Sequence, residues 1–169
     1  GISNLSYKGL SFRMQWEYTC GGAFYSSTAR SLIARGVTKD TEFDRAAPYL
    51  LPGVDANGNP NRVQTSATQA FFNNGFGPDE SGIFDATLIR LRELSLAYSL
   101  PEKLLAKTPF GGVSFTLSGT NLWYNAPNFP KYSHFDPETN GLGVGNGKGM
   151  EFITGPSSRR IGASLRITF

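Results

Sequence analysis

The chain has 169 residues, of which 39% are hydrophobic and 13% aromatic, and its 16 basic and 13 acidic side chains leave a net charge of +3. One domain's length, a mean hydropathy of −0.26 and the lack of any apolar run of 18 residues exclude membrane-spanning helices but not β-barrel strands, which need only about 9–11 alternating residues. The basic surplus is scattered, its longest run being Arg159 and Arg160, so no nucleic-acid partner is expected, and the single Cys20 cannot form an internal disulfide.

Twenty glycines, ten prolines and the aromatic content favour strands joined by elaborate loops. The opening "GISNL" has no basic n-region or apolar h-region, so no signal peptide is expected within these residues. The first strand is predicted over about 8–18, where Leu10, Phe12, Met14, Trp16 and Tyr18 alternate with Ser11, Arg13, Gln15 and Glu17. A loop then runs over 19–87. Within it "YSSTARSLIARG" places Ala29, Leu32 and Ile33 at helical spacing, with Ser or Thr as cap and Gly36 as stop, and "PGVDANGNPN" is turn-rich.

The second strand, 88–99, carries Leu94, Leu96, Tyr98 and Leu100 on one face, but "TLIRLREL" changes parity. Continuing the register would put Arg90 and Arg92 on the apolar face, so either a β-bulge lies near Arg92 or Glu93, or this part of the strand projects above a membrane. "SLPEKLLAK" reads as a helical turn with Ser99 as cap and Pro101 early in it. A third strand over 113–124 alternates Val113, Phe115, Leu117 and Trp123 with Ser114, Thr116, Ser118 and Thr120. After the loop 125–158, a fourth over 159–169 puts Ile161, Ala163, Leu165, Ile167 and Phe169 on one face.

The fold class is therefore all-β. Polar faces of Ser, Thr, Arg, Gln and Glu suit either the solvent side of a sandwich or the watery lumen of a barrel. Connections that run long, short, long, and aromatics at both strand ends (Trp16, Tyr18, Trp123 and Tyr124 at one, Tyr98 and Phe169 at the other), are the pattern of outer-membrane strands with two interfacial belts. A secreted β-sandwich that binds glycan stands as the alternative.

The loop over 125–158 holds the candidate chemistry. Trp123, Tyr124, Asn128, Tyr132, His134 and Phe135 offer flat apolar faces beside hydrogen-bonding groups, a combination suited to gripping a sugar, a peptide or a partner lid. Asp136, Glu138 and Asn140 before Gly141 match the first half of a calcium loop, but its twelfth position is Gly147, which removes the bidentate carboxylate; an Asx turn is the competing reading. His134 is the only histidine and no GxSxG elbow is present, while "GLGVGNGKG" has Gly149 where a phosphate loop needs Ser or Thr. No enzyme and no cofactor are expected.

"LIRLRELSLAYSLPEKLLAK", "VSFTLSGTNLWYN", "DPETNG" and "RRIGASLRITF", in that order, resemble the end of a SusC/RagA-type TonB-dependent outer-membrane transporter, and "NLSYKGLSFRMQWEY", "GGAFY" and "PGVDANGNPN" resemble the segment before it. The resemblance implies the last four antiparallel strands of a 22-stranded barrel in the outer membrane of a Gram-negative bacterium, with the plug domain and TonB box outside these residues. It further implies import of glycans or peptides with a SusD-like surface lipoprotein, energised by TonB. Ile161, Ala163, Leu165, Ile167 and Phe169 are similar to the signal read by barrel-assembly machinery. Taken alone, the chain is expected to transport nothing and, with open sheet edges beside outer-membrane lipid, to self-associate.

Overall fold

A computed structural model describes residues 1–69, 79–133, 135–143 and 145–169. The chain divides into two compact units, one of residues 1–20, 87–126 and 157–169 and the other of 21–86 and 127–156.

The first unit is a five-stranded sheet. Its strands are β1 (Ile2–Tyr7), β2 (Leu10–Thr19), β7 (Leu88–Ser99), β8 (Gly112–Asn125) and β10 (Arg160–Thr168), lying side by side in that order and antiparallel throughout. Four strands were expected and five are present. The addition, β1, has a weak pattern of its own, since Ile2 pairs with Gln15 on the polar face and Ser3 with Met14 on the apolar one. Its partner defines it, through a two-residue turn in which Lys8 and Gly9 both take positive φ (45° and 83°), the twist that suits a tight hairpin. α2 (Glu102–Leu105) crosses the short connection; Pro101 precedes it, and Ser99, expected as a cap, ends β7 instead.

The change of parity in "TLIRLREL" is a bulge at Arg92. Gln15 pairs with Glu93 and Trp16 with Leu91, so Arg92 has no opposite residue on β2. On the other side Leu91 pairs with Trp123 and Glu93 with Thr120, which leaves Asn121 and Leu122 as extra residues, Asn121 in the left-handed region at φ 53°. Leu122 fills the space above Gly119, where a Cβ would come within 2.7 Å of its side chain.

The second unit is built from the two long excursions, in which a helix and turns were expected. They also hold short strands: β3 (Ala23–Ser26) between β6 (Ile83–Asp85) and β9 (Met150–Glu151), and the pair β4 (Pro48–Leu50) and β5 (Gln64–Ser66). Strands of two to four residues are too short to announce themselves by alternation. Helix α1 (Ser27–Ala34) does so clearly. Ser26 caps its first turn by accepting from the Ala29 N–H, Ala29 and Ile33 are buried, and Gly36 at φ 67° closes it with Gly36 N–H to Ile33 O and Val37 N–H to Leu32 O, the paired bonds of a Schellman ending.

The core of this unit is aromatic. Phe24, 1% exposed, meets the rings of Phe129 and Phe135 at centroid distances of 6.3 Å each, and Phe84 meets Phe129 at 4.6 Å. Phe24→Ala in the whole chain is expected to destabilise this unit by about 3–5 kcal/mol. Limited proteolysis over a urea series checks it, with cleavage within 21–86 appearing at lower urea than in the unaltered chain.

Candidate functional site: two faces of one sheet

Cross-strand pairing sorts the side chains of the sheet into two chemically different surfaces. Directly opposed residues share a face, so Leu10, Tyr98, Phe115 and Leu165 form one apolar row, and Leu5, Phe12, Leu96, Leu117 and Ala163 the next. Beyond the bulge Trp16, Leu91 and Trp123 continue the same face, with the two indoles edge to face at 6.0 Å. This face is open: Leu96, Phe115, Leu117 and Ile167 are exposed, and Leu165 reaches 62% exposure.

The opposite face is polar. Ser11, Ala97, Thr116 and Ser164 form one row and Arg13, Ser95, Ser118 and Gly162 another. Charges gather around the bulge, where Arg13 Nε meets Glu93 Oε2 at 3.3 Å and Arg92 grips Glu17 through both Nε, at 2.8 Å, and Nη2. Arg90 is buried beside Glu17 and Tyr124 in the ladder, its guanidinium 5.6 Å from the Tyr124 ring centre. These half-exposed pairs add little stability each; their consequence is that the bulge is held by side chains on the polar side.

The residues expected to grip a ligand are divided between the two units. Trp123 stands on the apolar face and Tyr124 on the polar one, because neighbours along a strand point oppositely. In the second unit Asn128 and Tyr132 are exposed, while Phe135 is buried against Phe24 and Phe129 and is core; His134 lies outside the described residues. Asp40 accepts from the Tyr132 N–H at 3.2 Å and the Ser133 hydroxyl at 3.3 Å, fixing that turn. For the calcium candidate, Asp136 accepts from the Glu138 N–H and Asn140 from the Leu142 N–H, both at 3.0 Å. These are the Asx turns of the competing reading, and among the described residues no group of three His, Cys, Asp or Glu could hold a metal. Ile161, Ala163, Leu165 and Ile167 follow one another along the apolar face of β10, and Phe169 stacks edge-on with Phe110 at 5.5 Å.

The residue that sequence reasoning missed is Glu151. Its fully buried carboxylate accepts from Ser26 Oγ at 2.9 Å, the Thr28 N–H at 3.1 Å and Thr28 Oγ1, and from the Thr154 N–H at 2.6 Å and Oγ1 at 3.0 Å. It binds donors at the start of α1, a place that favours negative charge, and α1 has no acid of its own in its first turn. Burial pushes the Glu151 carboxyl up, but the Thr28, Thr154 and Ser26 hydrogen bonds together outweigh it and hold the group below the ordinary glutamate value.

Sequence comparison finds no matching family model but two curated relatives from Formosa agariphila. "TonB-dependent receptor P26" is 28% identical over the whole chain and 16% of its own length, and "TonB-dependent receptor P3" is 32% identical over 52% of the chain and 9% of its own. The chain thus spans about one sixth of the longer match. Among solved structures, the RagAB peptide importer in its closed-closed state matches 97% of the chain and 16% of its own with a TM-score of 0.60 at 21% identity. The RagAB peptide transporter gives 0.56 at 20% and the open-open importer 0.55 at 22%, with the same coverage. The all-β fold, a sheet with one open apolar face and one polar face, is thus shared with a segment of the RagAB structures. Sequence and fold together bear out the resemblance to a segment of a SusC/RagA-type TonB-dependent receptor.

Because the folded-state pKa of Glu151 is lowered, its stabilising contribution is complete above the ordinary glutamate range and is lost as pH falls through the lowered value. Glu151→Gln removes the charge at every pH and turns an amide donor toward other donors. It is expected to destabilise the second unit by about 1.5–3 kcal/mol at pH 7. Urea-dependent proteolysis at pH 7 and pH 3 checks this, the gap between the two proteins narrowing at the lower pH.

Proposed function

We propose that this chain forms part of the transmembrane barrel of an outer-membrane nutrient importer in a Gram-negative bacterium, its apolar sheet face against lipid and its polar face lining the interior. The observation that carries the reading is the open apolar face running across all five strands. None of Phe12, Met14, Leu94, Leu96, Phe115, Leu117, Leu165 and Ile167 is buried, whereas a sandwich would enclose them in its core. The dimensions agree. Ten residues of β2 at about 3.4 Å each, tilted by about 40°, rise through roughly 26 Å, close to the height of a barrel's apolar band.

The whole importer takes up glycans or peptides by TonB-coupled active transport with a SusD-like surface lipoprotein as lid. RagAB, described as a peptide importer in open-open and closed-closed states, supports peptides as cargo and a cycle of opening and closing. The strands are the closing strands of a 22-stranded barrel, with 161–169 serving as the barrel-assembly signal. Among the candidate contact residues for substrate or lid, we assign this role to Asn128 and Tyr132, which are exposed on the second unit.

Single cysteines placed along 161–167 in the Cys20→Ser background of the full-length protein, and labelled with a membrane-confined probe, test the reading. Labelling is expected at 161, 163, 165 and 167 and not at 162, 164 and 166. Uniform protection, with the protein recovered in the soluble fraction, would overturn it.

A further inference from the structure

We propose that the short-turn end of the sheet docks on anionic phospholipid headgroups through Lys8, Lys103 and Lys107, an inference that rests on the barrel reading above. Three backbone bonds gather the relevant segments at this end: Ser99 N–H to Gly9 O at 2.8 Å, Leu100 N–H to Val113 O at 2.9 Å and Gly111 N–H to Thr168 O at 2.7 Å. They bring the Lys8–Gly9 turn, the 100–111 connection and Phe169 side by side.

Apolar surface continues past the end of the strands here. Tyr7, Leu104 and Phe169 are exposed, Phe169 by 87%, and all three lysines are exposed beside them. Leu104 lies between Lys103 and Lys107 in sequence, and the buried Leu105 next to it fixes the helical turn that presents it. Against the three lysines this end carries one acidic side chain, Glu102. Aromatic rings and long cationic side chains around an apolar band are the arrangement that settles at a headgroup layer, rings at its level and amines reaching outward.

Lys8 supplies an independent observation. It occupies a hairpin position at φ 45° where Asn, Asp or Gly are the favoured residues, so a lysine there works against the backbone. Its amine lies 5.2 Å from the Tyr7 ring centre, which sets the cation beside an interfacial tyrosine. Short connections of outer-membrane barrels face the periplasm, and the leaflet met there is phospholipid; a lysine close to an anionic surface favours it by about fivefold.

The test uses the full-length protein in phosphatidylcholine vesicles, with Leu104→Cys in the Cys20→Ser background carrying an environment-sensitive fluorophore. Quenching by shallow doxyl-labelled phosphatidylglycerol is compared with quenching by the same label on phosphatidylcholine. The phosphatidylglycerol is expected to quench at a severalfold lower mole fraction. Combining Lys8→Asn, Lys103→Gln and Lys107→Gln should abolish that difference while leaving quenching by phosphatidylcholine unchanged. Lys8→Asn is the informative member, since Asn suits the turn and a merely structural role for Lys8 predicts no loss. Equal quenching by both lipids in the unaltered protein, or a preference that survives the triple change, overturns the inference. If the fluorophore meets neither lipid while positions 163 and 165 still take the membrane probe, the inference falls and the barrel stands. If 163 and 165 do not label, the barrel reading falls and this one with it.

Discussion

The two-residue repeat of a β-strand runs the length of this sheet only because of the bulge at Arg92. Without it, the register of Leu94, Leu96 and Tyr98 would carry Arg90 and Arg92 onto the apolar face and send Leu91 and Ile89 to the polar one. An arginine on the lipid side of a barrel costs about 2–4 kcal/mol near the midplane, and burying leucines in a watery interior forfeits their transfer energy. One extra residue repairs both at once. The repair is matched on β8, where Asn121 and Leu122 step out of the ladder and Trp123 returns to the face of Leu91 and Trp16.

In the second unit the same economy of buried polar groups is met by a long-range contact. The start of α1 offers donors that a nearby acid would ordinarily satisfy, as in a capping box, but the third residue after the Ser26 cap is Ala29. The acid comes from 125 residues away in Glu151. Its carboxylate joins the helix start to the turn at Thr154 and fixes the short parallel contact between β3 and β9. Chain segments that meet so late in sequence owe their alignment to this one buried charge and to the Phe24, Phe129 and Phe135 cluster.

What the sequence discloses follows from these two cases. Alternation is local, so "LSFRMQWEY", "VSFTLSGTNLW" and "RIGASLRITF" read directly as strands, and even the bulge is visible as a change of parity around Arg92. The strand at Ile2–Tyr7 is hidden because only Leu5 and Tyr7 follow the pattern, and pairing with β2 decides the rest. Glu151 is hidden because Met150 and Phe152 beside it are exposed and its partners are distant in sequence. The aromatic loop misleads in the opposite sense. Trp123, Tyr124 and Phe135 are close in sequence, yet strand geometry separates the first two across the sheet and packing buries the third.

A net charge of +3 conceals a division of labour between the units. The sheet unit holds nine basic and three acidic side chains, a surplus of six, and the other unit seven basic and ten acidic, a deficit of three. Within the strands, Arg13, Glu17, Arg90, Glu93, Arg160 and Arg166 all pair along the polar face, and Arg92 turns to Glu17 there. The lysines of this unit lie outside the strands, in the turn at 8 and the connection at 103 and 107. No charge of either sign stands on the apolar face. A soluble sheet gains solubility from charges scattered over any open surface, so an open face without one, on strands that place seven charges on the other side, is the feature that the lipid-facing role proposed above accounts for.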